Sequence, residues 1–462
     1  MKKRINMWFA LLVIGFLVAT VACGDDEAGD NQNDPQANQP DPNQPDENDP
    51  QSNEDEDYDG PTYYGDIKPM MEAHCTTCHV PDDIAPFPLQ TYEEVSATAQ
   101  LSLLAMNEGT MPPWPPDDEC ADFKNHRGIS ADEIALFEEW MDADHPRGQA
   151  PEEADESTTD DEVEIEGEVD VTLDWGFDYQ PQPPGSDAVD DYRCFVVDPE
   201  LDEDKFVNLV HTRPGNAEIV HHMIAYTAPA SRADDLVALE EEDERPGYEC
   251  FGGPRVSDAM WLSAWAPGEV PTPFEEGHGI RLEEGAQVVV QMHYNVVNDP
   301  DGTDRTELDL YFLDDQEFPE PVELAMVPLP GNDLFIEAGD PEAEFYVEGP
   351  ELPIDVTVHG IFPHMHLLGT SIEVSVDTAD GEVCLIDVPR WDFDWQGFYL
   401  YEEPIDLPAP SVAKMTCRYD NSESNQAPGR TPQDVYWGDG TYDEMCLAIF
   451  VVELPPGFEE LL

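Results

Sequence analysis

Basic residues are what this 462-residue chain most conspicuously lacks: Lys and Arg total 19 against 104 Asp and Glu, a formal net charge of -85. Such a field repels a phosphate backbone, which excludes nucleic acid as a partner. The acid is spread over candidate folded segments as well as linkers. Two readings of it stand side by side: a solvated surface adapted to high salt, where screening removes the self-repulsion, and drift. Long apolar runs are also missing. Trp8 to Val21 falls short of the ~20 residues that a membrane-spanning helix needs. Cysteine is sparse at nine residues, and only Cys75 and Cys78 have the C-x-x-C spacing, so no second pair completes a four-cysteine zinc site.

What is present begins with an export signal. Lys2, Lys3 and Arg4 precede the short apolar run, the charge pattern of a secretory leader. The run ends Thr20-Val21-Ala22-Cys23, which resembles the bacterial lipoprotein cleavage box. That resemblance implies a signal peptide over residues 1–22, lipidation at Cys23 and an outer-membrane anchor, periplasmic or at the cell surface. Thr20 stands where Leu is usual, and ordinary secretion with nearby cleavage is the alternative. On either reading the chain leaves the cytoplasm and disulfides become permissible. Residues 23–60 are Asp, Asn, Gln, Pro and Glu with almost nothing apolar, the composition of a disordered tether.

Residues 61–148 turn globular. Ile67, Met70 and Met71 recur with helical period before Cys75-Thr76-Thr77-Cys78-His79. In an exported protein this is the attachment signature of a c-type haem, with Cys75 and Cys78 as thioethers and His79 as proximal iron ligand. A disulfide redox pair would not need the following His, and half a zinc site has no second Cys pair to complete it. The segment resembles a small class I cytochrome c, an all-α domain. Thr91 to Asn107 reads as a helix with a Thr91/Glu94 capping box and Gly109 as its stop. Met111, in the Pro-rich loop after it, is the expected distal ligand; Met106 is the alternative but falls in the helical run, where a core role is expected. A closing helix starts at Ser130, with Glu133 as capping partner and Ile134, Phe137 and Met141 on one face.

Residues 149–170 are again acidic and read as a linker, which makes the haem unit a separable, tethered module. Beyond them, short alternating strands with Pro-, Gly- and Asp-rich turns persist to the end. About 290 residues of such texture exceed one sandwich, so the chain is expected to be mainly β, with two tandem jelly-roll-like β-sandwich domains, 171–322 and 323–462. Histidines punctuate both. His364 and His366 are two apart, which puts both imidazoles on one face of a strand. His221 and His222 are adjacent, so a twist or bulge is needed before both grip one ion. His293 ends a β-branched run, where a lone His is more often a core residue. Imidazoles with a Met thioether suit copper, because the thioether favours Cu(I) while imidazole serves Cu(II).

Four stretches in order, His221-His222-Met223, Gln291-Met292-His293-Tyr294, His364-Met365-His366-Leu367-Leu368-Gly369 and Asp443-Glu444-Met445-Cys446, resemble the copper type II, ascorbate-dependent monooxygenases. That family includes peptidylglycine α-hydroxylating monooxygenase and dopamine β-monooxygenase. Trp261 to Gly268 is similar to its first domain, and the resemblance spans roughly residues 190 to 455. It implies two copper ions: an electron-transfer copper on His221, His222 and His293, and an oxygen-activating copper on the catalytic residues His364, His366 and Met445. It implies a small-molecule substrate hydroxylated with O2 and an external electron donor, an ascorbate-like reductant or a redox protein. It also implies a Cys417–Cys446 disulfide beside Met445. The fused haem is expected to relay electrons.

The chain departs from the family at the substrate end. The peptide-hydroxylating members carry a basic residue two positions before the first His of the H-x-H motif; Phe362 stands there. Their substrate-contacting Tyr is Ile449, and Leu447 replaces a polar neighbour. These changes argue against a peptidyl-glycine substrate and for an apolar or cationic one. Cys194 is expected to pair with Cys250, whereas Cys120 and Cys384 either bridge the modules or both stay reduced. His211, His278 and His359 match no motif role and are expected to be structural or surface residues. A non-catalytic copper-binding or electron-transfer lipoprotein on the same scaffold is the second functional reading.

Overall fold

Local signals in the helical segment act as their spacing dictates. A computed structural model describes residues 58–454, apart from 82–84, 118, 125, 151–164, 166, 186–187, 251, 394, 428, 439 and 441. The leader, Cys23, the tether up to residue 57 and most of the 149–170 linker lie outside the described residues. Helix α1 spans Lys68–His74, α2 Tyr92–Glu108 and α3 Ala131–Asp142. Both expected capping boxes form: Glu94 N donates to Thr91 Oγ1 and Thr91 N to Glu94 Oε2, and Ser130 and Glu133 reciprocate in the same way. Gly109, left-handed at φ 62°, ends α2. Val95, Ala99, Leu103 and Met106, spaced at three and four residues, pack against Phe137 and Trp140. Met106 is therefore a core residue, as its place in the helical run predicted.

After residue 170 the chain is mainly β. Nine of its strands carry or brace the candidate ligands: β1 Asp190–Val197, β2 Val220–Ala228, β3 Met260–Trp265, β4 His278–Leu282, β5 Gln287–Asn295, β6 Val322–Pro330, β7 Val356–His364, β8 Tyr399–Leu407 and β9 Leu447–Glu453. They belong to one 13-stranded sheet. In it β5 lies between β1 and β2, and β2 pairs with β3. Strand β6 runs parallel to β4 and antiparallel to β9, and β7 lies between β9 and β8. A four-stranded sheet, from residues 343–348, 369–378, 381–388 and 412–419, covers the second half.

Among the hydrophobic cores that result, one in each half is shared by β9. Met445, Leu447, Ile449 and Val451 pack into the core of the first half, with Phe195, Met223 and Val290. The alternate residues Cys446, Ala448, Phe450 and Val452 pack into the core of the second, with Ile372, Val374 and Trp391. A period of two on a strand buried on both faces produces this division.

The helical unit is docked rather than separable, which corrects the reading of a tethered module. Trp114, Asp117 and residues 120–124 follow the second helix and lie on the second β half. Phe123, 2% exposed, stacks on Tyr401 at 5.3 Å inside that core. Lys124 N donates to Leu400 O and Glu402 N to Asp122 O, at 2.8 and 3.0 Å. Cys120 is bonded to Cys384 across 264 residues, alongside the expected Cys194–Cys250 and Cys417–Cys446 bridges. The cysteine count left a Cys120–Cys384 bridge open as one alternative, whereas local composition carries no sign of the seat of Phe123. Closing so long a loop constrains the unfolded chain by roughly 5 kcal/mol on the chain-entropy estimate. Cys120→Ser/Cys384→Ser is therefore expected to lower the stability by several kcal/mol in urea melts under non-reducing conditions; an unchanged midpoint would deny the bridge a stabilising role.

Candidate metal centres and the cavity between them

The first histidine group is assembled by a β-bulge. Strands β2 and β5 pair Val220 with Tyr294 and then His222 with His293, so the register shifts at His221. The extra residue re-aims a side chain that regular pleating would send to the opposite face. His221 Nδ1 and His222 Nδ1 stand 3.1 Å apart, and ligand atoms of His221, His222 and His293 all lie within 4.8 Å of one another. Two imidazole nitrogens about 2 Å from one ion would be separated by about 3 Å. His293 Nε2 faces Asp190 Oδ1 at 3.1 Å, while its Nδ1 is buried without a hydrogen-bond partner. A carboxylate fixing one ring nitrogen while the other is left for a ligand is the arrangement metal-binding histidines use. The residues fit a metal ion.

The second group sits where β7 ends and β9 begins. His364 Nδ1 lies 2.5 Å from Gln396 Oε1, and His366 Nδ1 lies 3.0 Å from the Asp443 carbonyl, so each ring has one nitrogen anchored and Nε2 left. Glu444 joins the two chain segments. It is fully buried and accepts backbone N–H groups from His366, Leu368 and Met445 at 2.9, 2.6 and 3.3 Å. Burial pushes its carboxyl up to about 8 against those three donors. Tyr419 Oη donates to the Met445 carbonyl at 2.8 Å. His364, His366 and Met445 are thereby held at one wall.

The two groups meet. Rings of His222 and His364 are 6.3 Å apart, and His222, His364, His366 and Met445 line one cavity of about 370 Å³. Its other walls are largely apolar, including Trp261, Trp265, Phe362, Trp437 and Leu447. Among the described residues that line it, none is Asp, Glu, Lys or Arg. Phe362 stacks on His364, ring centroids 6.0 Å apart. Ile449 is buried in the first core.

Burial, then the neighbouring imidazoles, holds His222 and His293 well below the ordinary imidazole range. Burial and His366 lower His364 to about 3, and burial lowers His366 to about 4. In the unfolded chain each would take a proton near pH 6.5. Between these values the unfolded state binds more protons, so the metal-free protein is expected to lose stability as pH falls from about 6.5 towards 4. His364→Gln should flatten that loss. Urea midpoints of metal-free wild type and variant at about pH 7.5 and 5 would test this, and equal losses in the two proteins would contradict it.

A second cavity, of about 410 Å³, lies in the helical unit. Cys75, Cys78, His79 and Met111 line it with Phe87, Leu89, Leu101 and Met106. Its volume is within the roughly 300–1,000 Å³ usual for cofactor sites. Cys75 and Cys78 are outside any disulfide, and burial, with Cys78 adding to it, pushes the Cys75 thiol up to about 12. His79 Nδ1 lies 2.8 Å from the Phe87 carbonyl, which leaves Nε2 as the ligand atom. Apolar walls, two thiols and an anchored imidazole fit a covalently attached haem.

One loop, which no motif marks in the sequence, touches all three places. Trp391 Nε1 donates to the His366 carbonyl at 3.2 Å. The ring of Phe393 lies 4.9 Å from His221 and 5.9 Å from His366. Trp395 lines the cavity of the helical unit, and Gln396 holds His364. The supporting roles of Asp190, Gln396 and Glu444 have no sequence signal either. Of these, only Glu444 lies in one of the four motif stretches, as the neighbour of Met445.

No family model matches the chain, and no curated protein matches its sequence. Among solved structures it is similar to the major capsid protein P2 of bacteriophage PM2, with 7% identity and a TM-score of 0.22, covering 58% of this chain and 99% of that one. A Paenibacillus xanthan lyase gives 12% identity and a TM-score of 0.16, covering 62% and 26% respectively. Likenesses this weak carry no argument about function.

Proposed function

We propose that the protein is an exported copper-dependent monooxygenase that hydroxylates a C–H bond of a small organic substrate with O2. In this reading it resembles the copper type II, ascorbate-dependent family. Residues 171–322 and 323–462 act as its two β-sandwich copper domains, and residues 61–148 as an all-α cytochrome c-like domain. The observation that carries the proposal is the convergence of His222 with His364, His366 and Met445 on one largely apolar cavity. When bound, the two coppers cycle between Cu(II) and Cu(I), and one haem c passes single electrons from an ascorbate-like donor or a redox protein.

The chain's own residues have distinct tasks. His221, His222 and His293 hold the electron-transfer copper, with Asp190 orienting His293. His364, His366 and Met445 hold the oxygen-activating copper, where the soft thioether favours the reduced ion. Phe362, Trp437 and Leu447 shape the cavity for a neutral, apolar substrate, since none of the described residues that line it offers a carboxylate to a cation. Cys75 and Cys78 would attach the haem, and His79 and Met111 would hold its iron. Three disulfides agree with residence outside the cytoplasm, anchored to the outer membrane through lipidated Cys23.

The test is oxygen uptake by full-length, copper-loaded, haem-containing protein with ascorbate and a panel of neutral hydrophobic compounds. Copper-dependent uptake matched by hydroxylated product is expected. Full metal loading without turnover across the panel would favour the non-catalytic copper-binding or electron-transfer lipoprotein instead.

A further inference from the structure

A different cluster joins the two halves of the β region. His278 opens β4, His359 is on β7, Glu453 closes β9, and Glu275 is in the turn before β4. None of the four lines the cavity of the copper ligands. His359 sits on a β-bulge: the register of β7 shifts between Val358 and Gly360 against both β8 and β9. This is the device that re-aims His221, used a second time.

We propose that His278, His359, Glu275 and Glu453 bind one divalent cation of the zinc(II) class. Ligand atoms of Glu275, His278 and His359 all lie within 4.8 Å of one another, and the two imidazole rings are 4.9 Å apart. Glu453 Oε1 stands 3.0 Å from His359 Nε2 and 3.8 Å from His278 Nε2, so both rings aim at one oxygen. His278 Nδ1 lies 3.0 Å from the Glu276 carbonyl, which fixes that ring as a backbone carbonyl fixes a metal-bound histidine. A simple ion pair needs one imidazole and one carboxylate; here two of each converge. Two imidazoles and two carboxylates are a donor set that zinc accepts in four-coordinate sites. With no thioether or thiolate, the set has nothing to favour Cu(I), and the ion is redox-silent. The proton between His359 Nε2 and Glu453 leaves to solvent as the cation takes its place.

Position supplies the role. His278 belongs to the first half, while His359 and Glu453 belong to strands of the second, with β6 paired between β4 and β9. A cation there ties the halves together at the far end of β9 from Met445.

The experiment uses the full-length protein, loaded with copper, incubated with zinc chloride and passed through a desalting column. Zinc per chain is then measured by mass spectrometry in wild type, His278→Ala and Glu453→Gln. Wild type is expected to retain one zinc, both variants to lose it, and zinc to raise the melting temperature of wild type alone. His278 and Glu453 are partly exposed, so both variants are expected to fold, which copper content and circular dichroism verify. Wild type without zinc, or variants that keep it, would overturn the site. Zinc is compared at equal copper content, so the result is read whether or not the monooxygenase proposal holds.

Discussion

Met445→Ala is expected to leave the chain folded, with about half its copper, and to lower substrate-dependent oxygen uptake by ~100-fold or more, about 2.7 kcal/mol of activation free energy. Geometry is the reason. Met445 is 8% exposed, its side chain faces the first core and the cavity shared with His222, and its backbone is fixed by Glu444 and Tyr419. His364 and His366 keep their anchors on Gln396 and Asp443, so truncating Met445 removes one donor without moving the others. Met445→His separates ligation from redox preference: an imidazole retains copper but favours Cu(II), so metal stays and turnover falls. Met326→Leu, in the same core but outside the cavity lining, controls for packing and should cost less than about 1.5 kcal/mol. Full copper and unchanged oxygen uptake in Met445→Ala would remove this residue from the site. His293→Ala should likewise lose half the copper, and loss of all copper in either variant would argue against two independent sites.

Trp395→Leu is expected to slow reoxidation of reduced haem about tenfold or more in stopped-flow traces with O2 and substrate, the equivalent of roughly 1.4 kcal/mol. Haem and copper contents should be unchanged. Trp395 forms part of the wall of the cavity lined by Cys75, Cys78 and His79, Phe393 lies against His221 and His366, and Gln396 holds His364. Together with Trp391, these residues of one loop connect the helical unit to both histidine groups. The docking through Phe123 and Cys120 sets their spacing, so under the proposed function electrons would cross between two units held against each other. Reoxidation at the wild-type rate in Trp395→Leu would mean that this loop is not the route.

How much of this was legible depends on the range of each interaction. Capping boxes at Thr91 and Ser130 and the stop at Gly109 involve residues three or a few positions apart, and their spacing announces them. The need for a bulge at His221-His222 was legible too, since adjacent residues on a regular strand cannot converge. Its counterpart at His359 was not, because that residue had no neighbouring His to signal a conflict. The Cys120–Cys384 bridge, the seat of Phe123 and the reach of residues 391–396 join positions far apart in the chain, and nothing in local composition encodes such partners. Glu444 was visible only as an acidic residue; its three N–H donors come from a turn 76 and 78 residues away and from its neighbour.

Strand β9 carries a consequence for the kinds of change the protein can absorb. Met445 lies two residues before its head, Glu453 is its tail, and its alternate side chains fill separate cores. Sliding it by one residue would exchange those two sets of side chains and turn the thioether away from His364 and His366. The Cys417–Cys446 bond, one residue from Met445, acts as a register pin against that slide. Apolar exchanges along β9 should therefore be mild, whereas inserting or deleting a single residue between 446 and 453 should displace Glu453 and swap the side chains that fill the two cores.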